Sequence, residues 1–273
     1  MNKIKIVDGM FAHSKSVSSP YIGPAYFEWS REDYSNNELI IFTDDSLSLV
    51  DNFPNNKCWA WLLESPEITP SAYSYIKENH HKFDRVLTYK KELLELGDKF
   101  LFTPVGGCWI DSTNQSLHIK IKKISMIASH KIQTYGHRLR HQIISNPIIG
   151  PQIEAFGTGY KRIEHKIEAL AEYKYSIVVE NCQTDGYFTE KIIDCFRTGT
   201  IPIYWGCSNI GKFFDMRGII TFDTIEDLEN IIQHLAEYYV SSESLVNNYE
   251  RAVEYICAED YIYANYLKNE RER

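Results

Sequence analysis

The sequence predicts an α/β fold in which short buried strands alternate with helices, and three observations carry that expectation. Ile177, Val178 and Val179 form a β-branched run of the kind that fills an interior strand of a parallel sheet. After a polar stretch, Ile192, Ile193 and Phe196 recur at helical spacing, and Gly199 marks the end of that helix. Residues 201–205 then supply a second strand that stops at Gly206. The polar residues 180–185 therefore gather beyond the carboxyl end of a strand, the edge at which open α/β sheets bind ligands.

Taken in order, IKIVDG, ending at Gly9, reads as the first strand. Residues 11–30 are rich in Ser, Pro, Gly and aromatics, show no clean period and read as a long loop at the ligand edge. His13 lies in it as a structural or exposed histidine within reach of a ligand; Tyr21, Tyr26, Phe27 and Trp29 line a cleft or cover the sheet. Residues 38–43 form a second strand, and Asp44 with Asp45 reads as a strand-end turn, since adjacent aspartates lack the Asp-x-Asp alternation associated with a divalent metal. Residues 57–63 are the next strand and run into Glu64-Ser65-Pro66-Glu67. A helix over 71–83 with Tyr75 and Ile76 on its buried face, a strand over 85–89, a short helix over 91–96 and a strand over 100–105 follow. Gly106 and Gly107 turn the chain without the full spacing of a dinucleotide or phosphate loop. Trp109 and His118 receive no role.

Residues 123–128 open a second α/β half, and the apolar and basic residues beyond Gly136 suggest a helix whose start faces the sheet edge. Residues 162–173 read as an amphipathic helix leading into the strand at 177–179. Residues 218–222 form a later strand, and Asp223 and Thr224 cap a helix built on Leu228, Ile231, Ile232 and Leu235. The final pattern, residues 245–266, is helical. The expected division is residues 1–121, 122–244 and 245–273.

A chain of 273 residues can bury roughly three quarters of its extended surface without external staples. Apolar residues make up 44% and charged residues 24%, which marks an ordered globular chain. The formal charge of −8 argues against a nucleic-acid partner, and the basic cluster at residues 120–123 is too short to reverse that. Six scattered cysteines without a Cys-x-x-Cys pair fit reduced thiols in a cytosolic compartment, not a zinc site. Lys3 and Lys5 lead into a strand and no run of about 18 apolar residues occurs, so neither a signal peptide nor stable membrane insertion is expected. The expected location is cytoplasmic, with peripheral attachment at the inner membrane left open.

The chemistry concentrates in two stretches. Thr189 is placed to N-cap the helix, whose first-turn N–H groups can receive an anion. Lys191 adds positive charge there, and Glu190 can accept hydrogen bonds from hydroxyls. An ordinary capped helix explains Thr-Glu-Lys by itself, but not its setting between ENCQTDGY and IPIYWG. Upstream, Glu64 at a strand end is a candidate general base; Glu67, three residues on, is its rival, but at the approach to a helix it reads better as a capping carboxylate. Arg138 is placed to meet a diphosphate, with Ser129 and Lys131 as secondary partners and Arg140 as the near alternative.

The run from Tyr173 to Gly206 resembles the donor-binding signature of the family-10 α-1,3/4-fucosyltransferases, particularly bacterial members with glycine before the tyrosine. Glu180 and Asn181 fall on that family's Glu-Asn pair, Tyr187 on its tyrosine, Thr189, Glu190 and Lys191 on its Thr-Glu-Lys, and Pro202 and Gly206 on the next strand's proline and glycine. The stretch from Glu64 to Pro70 resembles its Glu-Ser-Pro-x-x-Thr-Pro motif, and weaker likeness extends through most of residues 55–225. Ser129 and Arg138 follow the family's order of serine and arginine, although His130 replaces an asparagine and the spacer is longer.

The resemblance implies a GT-B type fold, two Rossmann-like domains facing each other across a cleft, with the final helix packing back on the first. It implies an inverting transfer of L-fucose from GDP-fucose to a hydroxyl, expected to be O3, of a GlcNAc or Glc unit. Glu64 would serve as base, and Ser129, Arg138, Glu180, Asn181, Tyr187, Glu190 and Lys191 would hold the donor. No tightly bound cofactor and no obligatory metal are expected. A transferase using another nucleotide deoxysugar and a non-catalytic carbohydrate-binding or glycan-assembly protein are the alternatives. Acceptor, linkage and oligomeric state are left open.

Overall fold

The computed structural model of the chain describes residues 2–9, 17–32, 35 and 38–268, so His13 lies outside the described residues. Two parallel sheets organise it. The first contains β1 (Asn2–Val7), β2 (Phe27–Ser30), β3 (Leu39–Thr43), β4 (Lys57–Trp61), β5 (Arg85–Thr88) and β6 (Phe100–Phe102), in the order β2-β1-β3-β4-β5-β6. The second contains β7 (Lys122–Ile127), β8 (Glu154–Phe156), β9 (Tyr173–Val179), β10 (Ile201–Trp205) and β11 (Ile220–Thr221), in the order β11-β10-β9-β7-β8. All these pairings are parallel. In both sheets the second strand lies outside the first and the remaining strands run the other way. The direction of winding thus reverses between β1 and β3 and again between β7 and β9, and such switch points open a crevice at the carboxyl ends of the strands.

The strands are short because both faces are covered: Ile40, Ile41, Phe42, Trp59, Ala60 and Trp61 are all inaccessible to solvent. The helices are α1 (Pro70–Asn79), α2 (Lys91–Leu94), α3 (Tyr135–Ser145), α4 (Glu190–Thr198), α5 (Ile225–Gln233), α6 (Ser242–Arg251) and α7 (Ala258–Ile262). In α4 Ile192, Ile193 and Phe196 are buried, and Gly199 ends the helix at φ 68°, a left-handed conformation that glycine adopts without strain. The helical pattern at the carboxyl end is broken into α6, a 3-10 turn, α7 and a π turn, and Ala258, Ile262 and Leu267 pack with Ile4, Ile6 and Trp29 against the first sheet.

Two expectations need correction. The amphipathic helix over 162–173 does not form: only a 3-10 turn, Lys166–Ala169, is present, and Tyr173 already begins β9. Glu168 accepts the N–H groups of Glu164 and His165, closing a single turn, and only Ala169 and Leu170 of the preceding stretch are buried, so no apolar stripe exists to hold a longer helix. The loop expected to run to residue 30 contains β2, whose Phe27 and Trp29 are buried in the sheet and do not line a cleft.

Candidate active site

The carboxyl edges of the two sheets face a cleft of about 490 Å³. Glu64 is the third residue after β4 and lines it from the first sheet; Ser129, Asn181, Tyr187, Glu190 and Lys191 line it from the second. The crossing between the sheets is made at Gly106 and Gly107, whose N–H groups bond to the carbonyls of Phe188 (3.0 Å) and Tyr255 (2.8 Å). Gly106 has φ 58°, and a Cβ there would lie 2.6 Å from Tyr255 O, so the glycine is required for this close approach. Their amides are spent on protein carbonyls and do not face a ligand.

Register sets the wall formed by the second sheet. Trp205 pairs with Val179, so β9 and β10 end level, with Glu180 and Gly206 side by side; a Cβ on Gly206 would lie 2.5 Å from Glu180 Cγ. Glu180 is fully buried. Its carboxylate accepts the Thr189 N–H (2.9 Å) and hydroxyl (2.8 Å), and Lys191 Nζ lies 3.3 Å away. The anion received at the start of α4 is therefore the protein's own carboxylate, placed where orphan N–H groups and helix dipole favour it. Glu180, expected to hold a ligand, stands behind the cleft and does not line it.

Thr189 caps α4 as expected, its Oγ1 accepting from Lys191 N (3.4 Å) and from Lys191 Nζ (2.9 Å). Glu190 accepts from Lys166 Nζ at 3.0 Å, and the same ammonium reaches Asp194 at 2.9 Å and lies 4.5 Å from the centroid of the Trp109 ring. Burial would raise the Glu190 carboxyl, but Lys166 and Lys191 outweigh it and hold the group well below the usual carboxylate range. Tyr187 is buried, its ring 5.0 Å from that of Tyr89, and burial raises its phenol far above the ordinary value.

The arginine expectation also needs correction. Arg138 is exposed, lies outside the cleft lining, and spends Nη1 on the carbonyls of Ile132 (3.2 Å) and Gln133 (3.1 Å). Arg140, two residues on and so on another face of α3, is buried at the cleft. It donates to Val179 O from Nε (3.0 Å) and Nη2 (2.6 Å), and to Asn181 Oδ1 (3.0 Å). Ser129 lines the cleft, and its Oγ lies 3.4 Å from Lys131 N. His137 caps α3 through Thr134, and burial followed by the neighbouring Arg140 charge lowers its pKa to about 4.

On the opposite wall, Glu64 keeps an open face to the cleft, yet burial by the surrounding protein raises its carboxyl above the ordinary value. Lys191 and Lys131 pull the other way without overcoming burial, and Glu190 adds to the rise. Glu67 is a capping carboxylate, but for α3 across the cleft and not for α1: it accepts Tyr135 N at 2.8 Å. Among the described residues no group of His, Cys, Asp and Glu is arranged to hold a metal ion, and no helix is long and apolar enough to cross a membrane. All six cysteines are unpaired and buried.

Sequence reasoning gave Lys166, Asp194 and Trp109 no role. Asp194 alone left a signal, a carboxylate between Ile193 and Cys195 on the apolar side of α4 and one turn beyond Glu190. Lys166 was hidden by the helix expected around it.

Two facing α/β layers of this winding, with a charged cleft between them, define the architecture of a GT-B type glycosyltransferase. The chain has that fold: it superposes over its whole length on 91% of a crystal structure of an α1,3-fucosyltransferase with GDP (TM-score 0.57, 16% identity). A second structure, of an α1,3-fucosyltransferase with GDP-fucose, matches 91% of this chain and 81% of that one (TM-score 0.55, 18% identity). Residues 107–264, more than half of the chain, match the model for the C-terminal part of glycosyltransferase family 10 (fucosyltransferase), and the chain belongs to that family. The alpha-(1,3)-fucosyltransferase FucT of Helicobacter pylori is 31% identical over 108 residues, a stretch covering 39% of this chain and 22% of that protein.

Proposed function

We propose that the chain transfers L-fucose from GDP-fucose to a sugar hydroxyl with inversion at the anomeric carbon. The reading is supported most by a single contrast in the cleft: a carboxyl with a raised pKa, Glu64, on one wall, and the cations Lys191 and Arg140 on the other. An inverting transfer needs this pair of elements. Glu64 takes the acceptor hydroxyl proton as that oxygen attacks the anomeric carbon. The bond from that carbon to the diphosphate oxygen breaks, and GDP leaves on the opposite face, its charge met by Lys191 and Arg140. The raised pKa gives Glu64 a greater affinity for the proton than an ordinary carboxylate has.

In this reading Ser129, Asn181 and Tyr187 line the donor's seat, and Glu190, held ionised by Lys166, accepts donor hydroxyls. Glu180 acts on the donor only through Thr189 and Lys191, and Arg140 takes the role first expected of Arg138. The acceptor is a GlcNAc or Glc unit of an oligosaccharide or surface glycan, substituted at O3, with residues 1–121 carrying base and acceptor contacts and residues 122–244 the donor. A screen of nucleotide sugars against oligosaccharide acceptors, with mass analysis of the products, tests donor and acceptor together. Glu64→Gln is expected to lower turnover roughly 10³-fold while GDP binding is kept. Unchanged turnover in that variant would remove Glu64 from the mechanism.

A further inference from the structure

Asp44 and Asp45 read as no more than a strand-end turn in sequence, yet the structure places the first of them against the base. Asp44 Oδ1 accepts the N–H of Leu63 at 3.0 Å, and both its carboxylate oxygens lie 3.3 Å from the N–H of Glu64. On the other side of the same residue, the Glu64 carbonyl lies 2.7 Å from the hydroxyl of Tyr73 and 3.2 Å from that of Tyr89, and the two hydroxyls are 2.9 Å apart. Both tyrosines are buried. Glu64 is thus gripped by its main chain from both sides while its side chain faces the cleft.

We propose that Asp44 is a positioning residue for Glu64: by taking the two N–H groups beyond β4 it fixes where the base's side chain leaves the sheet. The inference rests on the reading of Glu64 as base given above. The backbone supplies an independent observation. Asp44 has φ 38°, and it is the one non-glycine residue at positive φ among the described residues. An L side chain is disfavoured there, aspartate less than most, and strained backbone of this kind persists where the surrounding structure requires the side chain. Glycine would satisfy the backbone at least as well, so what the strained position retains is a side-chain oxygen acceptor.

The electrostatics agree with the geometry. Burial raises Asp44 to about 7, with the charges of Glu64 beyond β4 and Asp45 on its own turn adding to the rise, while the Leu63 and Glu64 N–H groups pull it down. The hydrogen bonds that hold Glu64 are therefore also those that favour the charged form of Asp44 at neutral pH. Tyr89 extends the arrangement to the far wall, because its ring meets that of Tyr187 on the donor side. The seat of the base and the seat of the donor share one aromatic contact.

The test uses the full chain with Asp44→Gly, Asp44→Asn and Glu64→Gln, measuring turnover of GDP-fucose with an acceptor and, separately, binding of GDP. Asp44→Gly relaxes the backbone and removes the acceptor; kcat should fall on the order of 10²-fold with GDP affinity unchanged, the pattern of a displaced base. Asp44→Asn keeps an oxygen acceptor and a residue tolerant of positive φ, and should recover most of that loss. Retained GDP binding shows that each variant is folded. If Glu64→Gln abolishes turnover while both Asp44 variants turn over within about twofold of the parent, the positioning role is wrong and the base assignment stands. If Glu64→Gln turns over normally, the base assignment fails and this inference fails with it.

Discussion

The two walls of the cleft surround their carboxylates differently. On the wall formed by the second sheet three carboxylates have an ammonium beside them: Glu180 has Lys191 at 3.3 Å, and Glu190 and Asp194 share Lys166 at 3.0 and 2.9 Å. On the other side Asp44 takes the main-chain N–H groups of Leu63 and Glu64, the Glu64 carboxyl faces the cleft with Lys191 and Lys131 acting across it, and burial moves both carboxyls upward. Glu190 and Glu64, lining one cavity, are thus shifted in opposite directions. Glu190, beside Lys166 and Lys191, is a fixed charge and an acceptor, whereas burial gives Glu64 a raised proton affinity; two groups of one chemical type are set apart by their neighbours.

The sharpest way to break that contrast is to remove the ammonium. Lys166→Met removes the cation that Glu190 and Asp194 share, leaving Lys191 beside Glu190 and the Trp109 N–H on Asp194, and should destabilise the fold by about 3 kcal/mol in urea unfolding. A negligible loss would mean that this wall does not depend on the pairing. Next in size is the arginine pair on α3. Arg140→Met should weaken GDP binding by about 2 kcal/mol, roughly 30-fold, in calorimetric titration, while Arg138→Met should leave it within about twofold. The reverse order would return the diphosphate contact to Arg138.

The smallest effect is a pH dependence behind the same wall. His137 is lowered from 6.5 to about 4, so the unfolded chain takes up the proton first. The stability contributed by neutral His137 is present above pH 6.5 and is lost as pH falls toward 4. Relative to His137→Gln, which keeps an acceptor for the capping box, the parent should lose at least about 1 kcal/mol over that interval. Parallel stability curves would show that the histidine does not titrate there.

Much of the wall formed by the second sheet was legible because its signals are local. The β-branched run, the capping threonine and Gly199 lie within one β-loop-helix-β unit, and each acts on residues a few positions away. Strand and helix existence followed for the same reason, even where ends were overestimated, as at 100–105 against Phe100–Phe102. What failed depended on packing between distant segments. The stretch at 162–173 carries a helix-like pattern, but only Ala169 and Leu170 ahead of Tyr173 are buried, and Lys166 meets Glu190 and Asp194 from a distant segment. Arg138 and Arg140 differ by two positions in sequence, and only the rotation of α3 against β9 decides which one meets the cleft.

The sequence by itself determined that this chain alternates strand and helix, that its polar residues collect at strand ends, and that Glu64 and the Thr189-Glu190-Lys191 stretch stand at two such ends. Hydrogen bonding and apolar periodicity along the chain suffice for that. The tertiary structure decided that the Glu190 pKa is held low while that of Glu64 is raised, that Glu180 lies behind the cleft, and that Glu67 caps a helix in the opposite half. Proton affinity depends on burial and on charges within a few ångströms, and those neighbours come from segments as far apart as Asp44 and Glu64 or Lys166 and Asp194, whose meeting is fixed only when the sheets pack.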